Sequence, residues 1–169
     1  MIRLSKNIEF KEGAINLPYS KSLSNRALII RAISKGSFNI SNLSDSDDTQ
    51  NLIKILNSLP PIIDIGAAGT NMRFLVSFLC TQSGNWEIRG TERMHNRPIG
   101  ELVDALKNLK ANINYLGKVG FPPLKINGTN LSGGKISIDG SSSSQFISSL
   151  LMIAPTMEQG LELSITGKI

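Results

Sequence analysis

Three segments of this chain are apolar nearly all round at helical length: Ala27 to Ile33, Met72 to Cys80, and Phe146 to Ala154. A helix with no polar face has no side to offer water and must be buried, so any fold has to place three helices inside. Each segment follows small and hydroxyl residues, namely Ser20-Lys21-Ser22-Leu23-Ser24, Gly66-Ala67-Ala68-Gly69-Thr70 and Ser141-Ser142-Ser143-Ser144-Gln145. Such side chains accept hydrogen bonds from the free N–H groups of a first turn and mark helix starts. Two further helices have a different character. Pro98 to Lys110 is apolar at Ile99, Leu102, Val103, Leu106 and Leu109, with Pro98 suited to the first turn. Asp47 to Leu56 carries Leu52, Ile53, Ile55 and Leu56 behind the acidic start Asp45, Asp47, Asp48, which complements the helix dipole. Both predict surface helices with one wet face.

Short alternating or β-branched runs lie between the helices: Phe38 to Leu43, Ile62 to Ile65, Trp86 to Arg89, Ile113 to Leu116, Pro123 to Ile126, Lys135 to Ile138 and Leu161 to Ile165. The order strand, buried helix, strand, surface helix, strands begins near residue 14, returns near 62 and starts again near 136. This is an imperfect internal repeat of βαβαββ type. The copies are unequal, because the first runs from Leu59-Pro60-Pro61 straight into Ile62 and the third is cut short. The chain stops at Ile169 directly after a predicted strand, as expected for part of a longer protein.

Composition narrows the function. Forty per cent apolar content over 169 residues builds a real core. Cys80 and His95 stand alone as cysteine and histidine, which excludes an internal disulfide and a Cys/His metal site, and fits a reducing compartment. No apolar run approaches the ~20 residues of a membrane span, and the first residues have no signal-peptide core, so a soluble, unexported protein is expected. The net charge of +5 comes from scattered basic residues, and aromatics are only 5%, which gives nucleic-acid bases few stacking partners. A small anionic ligand fits better.

If the three buried helices are related by repetition, their N-termini face one end of the domain, where free N–H groups and dipole ends favour an anion. In the plainer reading, Ser20, Thr70 and Ser143 cap their own helices and nothing more. The basic residues argue for the first reading. Lys21, Arg26, Arg73, Arg93 and Arg97 lie in or beside these turns, where the dipole disfavours cations unless an anion sits between. Lys21 is poorly placed for stability and well placed for a phosphate or hydroxyl, while Arg26 offers a fork to a carboxylate or, failing that, a surface ion pair. Gly66 to Thr70 has neither the GxxxxGK[ST] nor the GxGxxG spacing. Cys80 falls in a core pattern and His95 in a loop beside the basic cluster, without a dyad partner.

Leu17-Pro18-Tyr19-Ser20-Lys21-Ser22-Leu23-Ser24-Asn25-Arg26-Ala27-Leu28 resembles the opening signature of the 5-enolpyruvylshikimate-3-phosphate synthase family, the 3-phosphoshikimate 1-carboxyvinyltransferases. Later motifs follow in the family's order: Asp47-Asp48-Thr49, Gly69-Thr70-Asn71-Met72-Arg73, Arg93-Met94 through Arg97-Pro98-Ile99-Gly100, and Asp139-Gly140 to Ser143-Ser144-Gln145-Phe146. The resemblance covers nearly the whole chain. It implies an α/β fold: an inside-out α/β barrel of two lobes, each of three βαβαββ units with buried parallel helices. Residues 1–16 would be an opening strand that joins the other lobe, and 17–169 about two of the three units of one lobe.

The resemblance further implies transfer of the carboxyvinyl group of phosphoenolpyruvate to the 5-hydroxyl of shikimate 3-phosphate, in the cytoplasm, without metal or organic cofactor. Lys21 would touch both substrates and serve catalysis. Ser22 and Arg26 would hold the shikimate carboxylate, Ser143 and Ser144 the 3-phosphate, and Gln145 the ring and phosphoenolpyruvate. The Gly69 backbone and Arg97 would bind phosphoenolpyruvate, with Thr70, Arg73 and Arg93 supporting. Partners would be these two anions and the second lobe, which carries the acid and base carboxylates. No nucleic acid or membrane is expected. The chain departs from the family at Ala67, often Asn, and Phe74, often Pro. The related transferase acting on a UDP-amino sugar is disfavoured, since Cys80 does not match its reactive-loop cysteine. A non-catalytic anion-binding module is the reading from another class.

Overall fold

The computed structural model describes residues 2, 3, 5, 12–141 and 143–167. Helix α1 (Lys21–Ile33) starts at Ser20, whose hydroxyl accepts from the Leu23 N–H at 3.3 Å. Helix α2 (Asp47–Ser58) starts at Ser46, with Asp47 and Asp48 in its first turn, and ends on Leu59 in the left-handed conformation. Strand β1 (Ile62–Asp64) follows at once. Then come α3 (Gly69–Cys80), β2 (Gly84–Arg89), the one-turn helix α4 (Glu92–His95), α5 (Gly100–Asn108), β3 (Asn112–Tyr115) and β4 (Leu124–Gly128). Strand β5 (Gly134–Asp139), α6 (Ser144–Ile153) and β6 (Leu161–Thr166) complete the order.

One mixed sheet has the order β1-β2-β4-β3, with β1 and β2 parallel and the other pairs antiparallel. A second sheet pairs β5 and β6 in parallel. Alternation places Ile63, Trp86, Ile88, Ile113, Leu124 and Ile126 on the inner side of the four-stranded sheet, as a half-buried sheet requires. Helix α3 lies at the centre, packed on α1, α6 and the sheet, and buries Phe74, Leu75, Val76 and Leu79 completely. The run β1-α3-β2-α5-β3-β4, with the single turn α4 inside it, is one βαβαββ succession.

Four sequence expectations are corrected. The first concerns Phe38 to Leu43, which form no strand. Strand β2, in the same place between two helices, is held by β1 on one side and β4 on the other. After α2 the chain enters β1 without an intervening hairpin, so this extended segment has no antiparallel partner, and a lone strand is not stable. Second, only α3 is enclosed. Helices α1 and α6 bury the faces turned toward it and expose Leu23 (69%), Ile30 (50%) and Leu151 (53%). Third, Pro98 precedes α5, whose N-cap is Ile99. Fourth, His95 closes the helical turn α4 and is not in a loop. Half of the opening strand expected over 1–16 lies outside the described residues, as does Ser142, and residues 12–16, which are described, form no strand.

Candidate anion-binding site

The first turns of four helices are tied start to start. Lys21 Nζ, on the first residue of α1, meets Asp48 Oδ2 in the first turn of α2 at 2.8 Å. Gln145 Nε2 of α6 donates to Thr70 Oγ1 of α3 at 3.1 Å. Arg26 of α1 donates to Ser148 Oγ of α6 at 3.3 Å and to the Ser22 carbonyl at 3.1 Å, and its guanidinium stacks 5.3 Å from the Phe74 ring of α3. Arg73 of α3 lies 5.4 Å from the Phe146 ring of α6. These links bring the N-termini of α1, α3 and α6 to one end of the molecule, as expected from the repeat. Their partial positive charges therefore add at one surface.

At the start of α3 the electrostatics are one-sided. Arg73 Nη1 donates to the Gly69 carbonyl at 2.9 Å, and a Cβ built on Gly69 would collide with the Arg97 guanidinium and stand 2.7 Å from Arg73 Nη1. The glycine thus makes room for two guanidinium groups. Burial, and then the Arg97 charge, hold the Arg73 pKa below its ordinary value. Arg73 Nε is buried and has no hydrogen-bond partner among the described residues. Among the described residues neither arginine has an acidic partner. Two like charges at a helix N-terminus, with an unused buried donor, would be relieved by an anion placed between them.

Ser143 caps α6 by accepting from the Gln145 N–H, and Ser144 is exposed beside it. Ser22 is exposed on α1, and Gly69 is buried as the first residue of α3. Thr70 does not cap its helix. The N-cap is Ala68, with no side-chain bond, which frees the Thr70 hydroxyl for Gln145. Arg26 makes no ion pair among the described residues and is held by a hydroxyl, a carbonyl and a ring instead. Arg93 is exposed on α4, and among the described residues no hydrogen bond or ion pair ties it to the cluster. Ala67 is exposed, and Phe74 is fully buried under Arg26. Cys80 lies at the buried far end of α3, where desolvation pushes its thiol up to about 12. No group of three or more His, Cys, Asp and Glu that could hold a metal ion occurs among the described residues.

Sequence reasoning missed a buried amide ring beneath these turns. Thr49 Oγ1 donates to Asn25 Oδ1 (2.7 Å), Asn25 Nδ2 to Asn71 Oδ1 (2.8 Å), and Asn71 Nδ2 to the Asp48 carbonyl (2.7 Å). All three side chains are fully buried. The available signal was polar Asn25 and Asn71 within otherwise apolar helices, since a buried amide has to find partners.

The family model described as EPSP synthase (3-phosphoshikimate 1-carboxyvinyltransferase) matches residues 6–62 and 58–169. A 3-phosphoshikimate 1-carboxyvinyltransferase of Bacteroides fragilis (strain YCH46) is 54% identical over 158 residues, covering 94% of this chain and 38% of that protein. One from Sulfurovum sp. (strain NBC37-1) is 42% identical over 190 residues, covering 97% of this chain and 44% of that protein. The chain therefore spans less than half the length of these relatives. The Sulfurovum match is longer than the 169 residues of the chain, so that relative has residues without a counterpart here. The two family-model stretches meet at 58–62, the junction of α2 and β1. An EPSP synthase structure from Acinetobacter baumannii superposes with a TM-score of 0.76 at 22% identity, covering 86% of this chain and 39% of that one.

Proposed function

Because the chain belongs to the EPSP synthase family, we propose that it supplies one face of a site that transfers the carboxyvinyl group of phosphoenolpyruvate to the 5-hydroxyl of shikimate 3-phosphate. The observation that carries this reading is the convergence of the α1, α3 and α6 N-termini around Lys21, Arg26, Arg73 and Arg97, the last two without an acidic partner among the described residues. Both substrates are polyanions and repel each other. Fixed cations and dipole ends offset that repulsion and hold the hydroxyl near C2 of phosphoenolpyruvate.

In this proposal Gly69, Arg97, Lys21 and Gln145 receive phosphoenolpyruvate, with Arg73 and Thr70 in support and Arg93 on the periphery. Lys21, Ser22, Arg26, Ser143, Ser144 and Gln145 receive shikimate 3-phosphate. Lys21 keeps one ammonium N–H on Asp48 and turns the others to substrate oxygen. The hydroxyl oxygen adds to C2 of phosphoenolpyruvate while C3 takes a proton, and the tetrahedral ketal then loses phosphate and a C3 proton. The acid and base carboxylates come from the second lobe of the same protein. Residues 17–169 form about two βαβαββ units of an inside-out α/β lobe, 1–16 join the other lobe, and the protein works in the cytoplasm. Among the described residues no helix is long and apolar enough to cross a membrane.

The test is calorimetric titration of the full-length protein with shikimate 3-phosphate, phosphoenolpyruvate and a UDP-amino sugar, with phosphate release measured in parallel. Release that requires shikimate 3-phosphate supports the reading. Release that requires the UDP-amino sugar, or binding without release, overturns it.

A further inference from the structure

Asn71 stands where the ends of three helices have to be fixed relative to one another. It follows Gly69 and Thr70 in the first turn of α3. Its two amide atoms bridge the other helices: Oδ1 accepts from Asn25 of α1 at 2.8 Å, and Nδ2 donates to the Asp48 carbonyl of α2 at 2.7 Å. Thr49, the neighbour of Asp48, closes the circuit with its hydroxyl on Asn25 Oδ1 at 2.7 Å. Ser46 steadies Thr49 from the N-cap of α2 at 3.0 Å. Each of Thr49 Oγ1, Asn25 Nδ2 and Asn71 Nδ2 meets an acceptor in the ring and all three side chains are fully buried, so no member can turn without breaking a buried hydrogen bond.

The ring ends on the backbone of the residue whose carboxylate holds Lys21 at 2.8 Å. Lys21 itself is on the exposed surface and has a long flexible stem with no other bond among the described residues, so its direction is set by where Asp48 stands. Asp48 in turn is located against α3 through the Asn71 amide. An apolar residue at position 71 would pack as well and leave the register between the α2 and α3 starts unspecified.

We infer that Asn71 is a positioning residue, which sets Lys21 against the Gly69 turn through the Asp48 backbone and carboxylate. For its activity arm this rests on the reaction proposed above. Three variants of the full-length protein test it. Asn71→Ala opens the ring; Thr49→Val opens it with little change of volume. Ser77→Ala removes a buried hydroxyl bond of the same helix, to Ser149 at 3.0 Å, away from the ring.

At a temperature where all are folded, Asn71→Ala should lower kcat/KM roughly ten- to a hundredfold, the scale of a misplaced catalytic group. Thr49→Val should act in the same direction and less, and Ser77→Ala should leave turnover near wild type. Independently of turnover, trace acylation read by mass spectrometry should label Lys21 faster in Asn71→Ala and Thr49→Val than in wild type, and unchanged in Ser77→Ala. Equal effects of ring and control variants in both measurements overturn the inference. A wild type without turnover overturns the proposed reaction, and Lys21 labelling then decides the ring. If Asn71→Ala does not fold, Thr49→Val decides it.

Discussion

Replacing Gly69 by alanine tests the anion site at its tightest point. Gly69 has helical backbone and none of the left-handed φ that would make alanine strained, so the substitution is conformationally acceptable. In a helix it favours folding by up to about 1 kcal/mol. The new methyl would collide with Arg97 Nη1, stand 2.8 Å from Arg97 Cζ and 2.7 Å from Arg73 Nη1. All of these atoms are the far ends of flexible side chains. The fold therefore yields at little cost, by swinging two guanidinium groups away from the start of α3. An anion seated there loses one or two charge-assisted hydrogen bonds at roughly 1.5–3 kcal/mol each. In the full-length protein this predicts a KM for phosphoenolpyruvate raised about ten- to a hundredfold, with the KM for shikimate 3-phosphate within about threefold and the melting temperature unchanged or higher. Steady-state kinetics with each substrate varied, beside a thermal melt, checks it. Equal losses for both substrates with a lower melting temperature would refute the reasoning, because Gly69 would then serve the fold and not the site.

Other outcomes follow from the same geometry. Arg26→Ala removes a guanidinium that bonds Ser148 and covers Phe74, and should weaken shikimate 3-phosphate by about 1.5–3 kcal/mol in calorimetry, with phosphoenolpyruvate affected less. The 169-residue chain alone should show no phosphate release from the two substrates, while the full-length protein does; turnover by the short chain would place the acid and base within it. Cys80, pushed up to about 12 by burial, should resist thiol reagents in the native state and react on unfolding. An unfolded thiol ionises near ~8.5, so above that pH the unfolded state binds fewer protons than the folded one. The stability contributed by the buried thiol is intact below that pH and is lost as pH rises toward 12, which denaturant titrations at pH 8 and 10 can measure.

Much of this arrangement is written locally. The start of α1 at Ser20 and of α2 at Ser46, and the central place of α3, follow from caps and from a helix with no polar face. The convergence of helix starts was legible from cations placed where a lone helix would reject them. What escaped depends on partners distant in sequence. Phe38 to Leu43 has strand chemistry, but the chain passes from α2 to β1 without the hairpin that β3 and β4 supply to β2. The family model breaks at that same junction, residues 58–62. Propensity alone predicts a strand there and is blind to the missing neighbour. The ring of Asn25, Thr49 and Asn71 escaped for the same reason, since its members come from three helices and no one of them has a pattern of its own.

The site and the ring are two sides of one electrostatic problem. Cations in a first turn oppose the helix dipole by about 0.3–1 kcal/mol each, and Arg73 and Arg97 add their mutual repulsion. Left alone, such ends would splay and bring the charges into water. Apolar packing between helices resists separation but little resists sliding or rotation about their axes, because dispersion and hydrophobic contact have no direction. Directional bonds between buried amides do resist it. The ring lies directly behind the charged turns, and Arg26 and Arg73 lean their planes on Phe74 and Phe146, which holds the charges in place at about 0.5–2 kcal/mol per stacked pair. The chain thus keeps a repulsive, preorganised surface that a bound anion would relieve, and under the proposed function that relief would favour a polyanionic ligand over a neutral one.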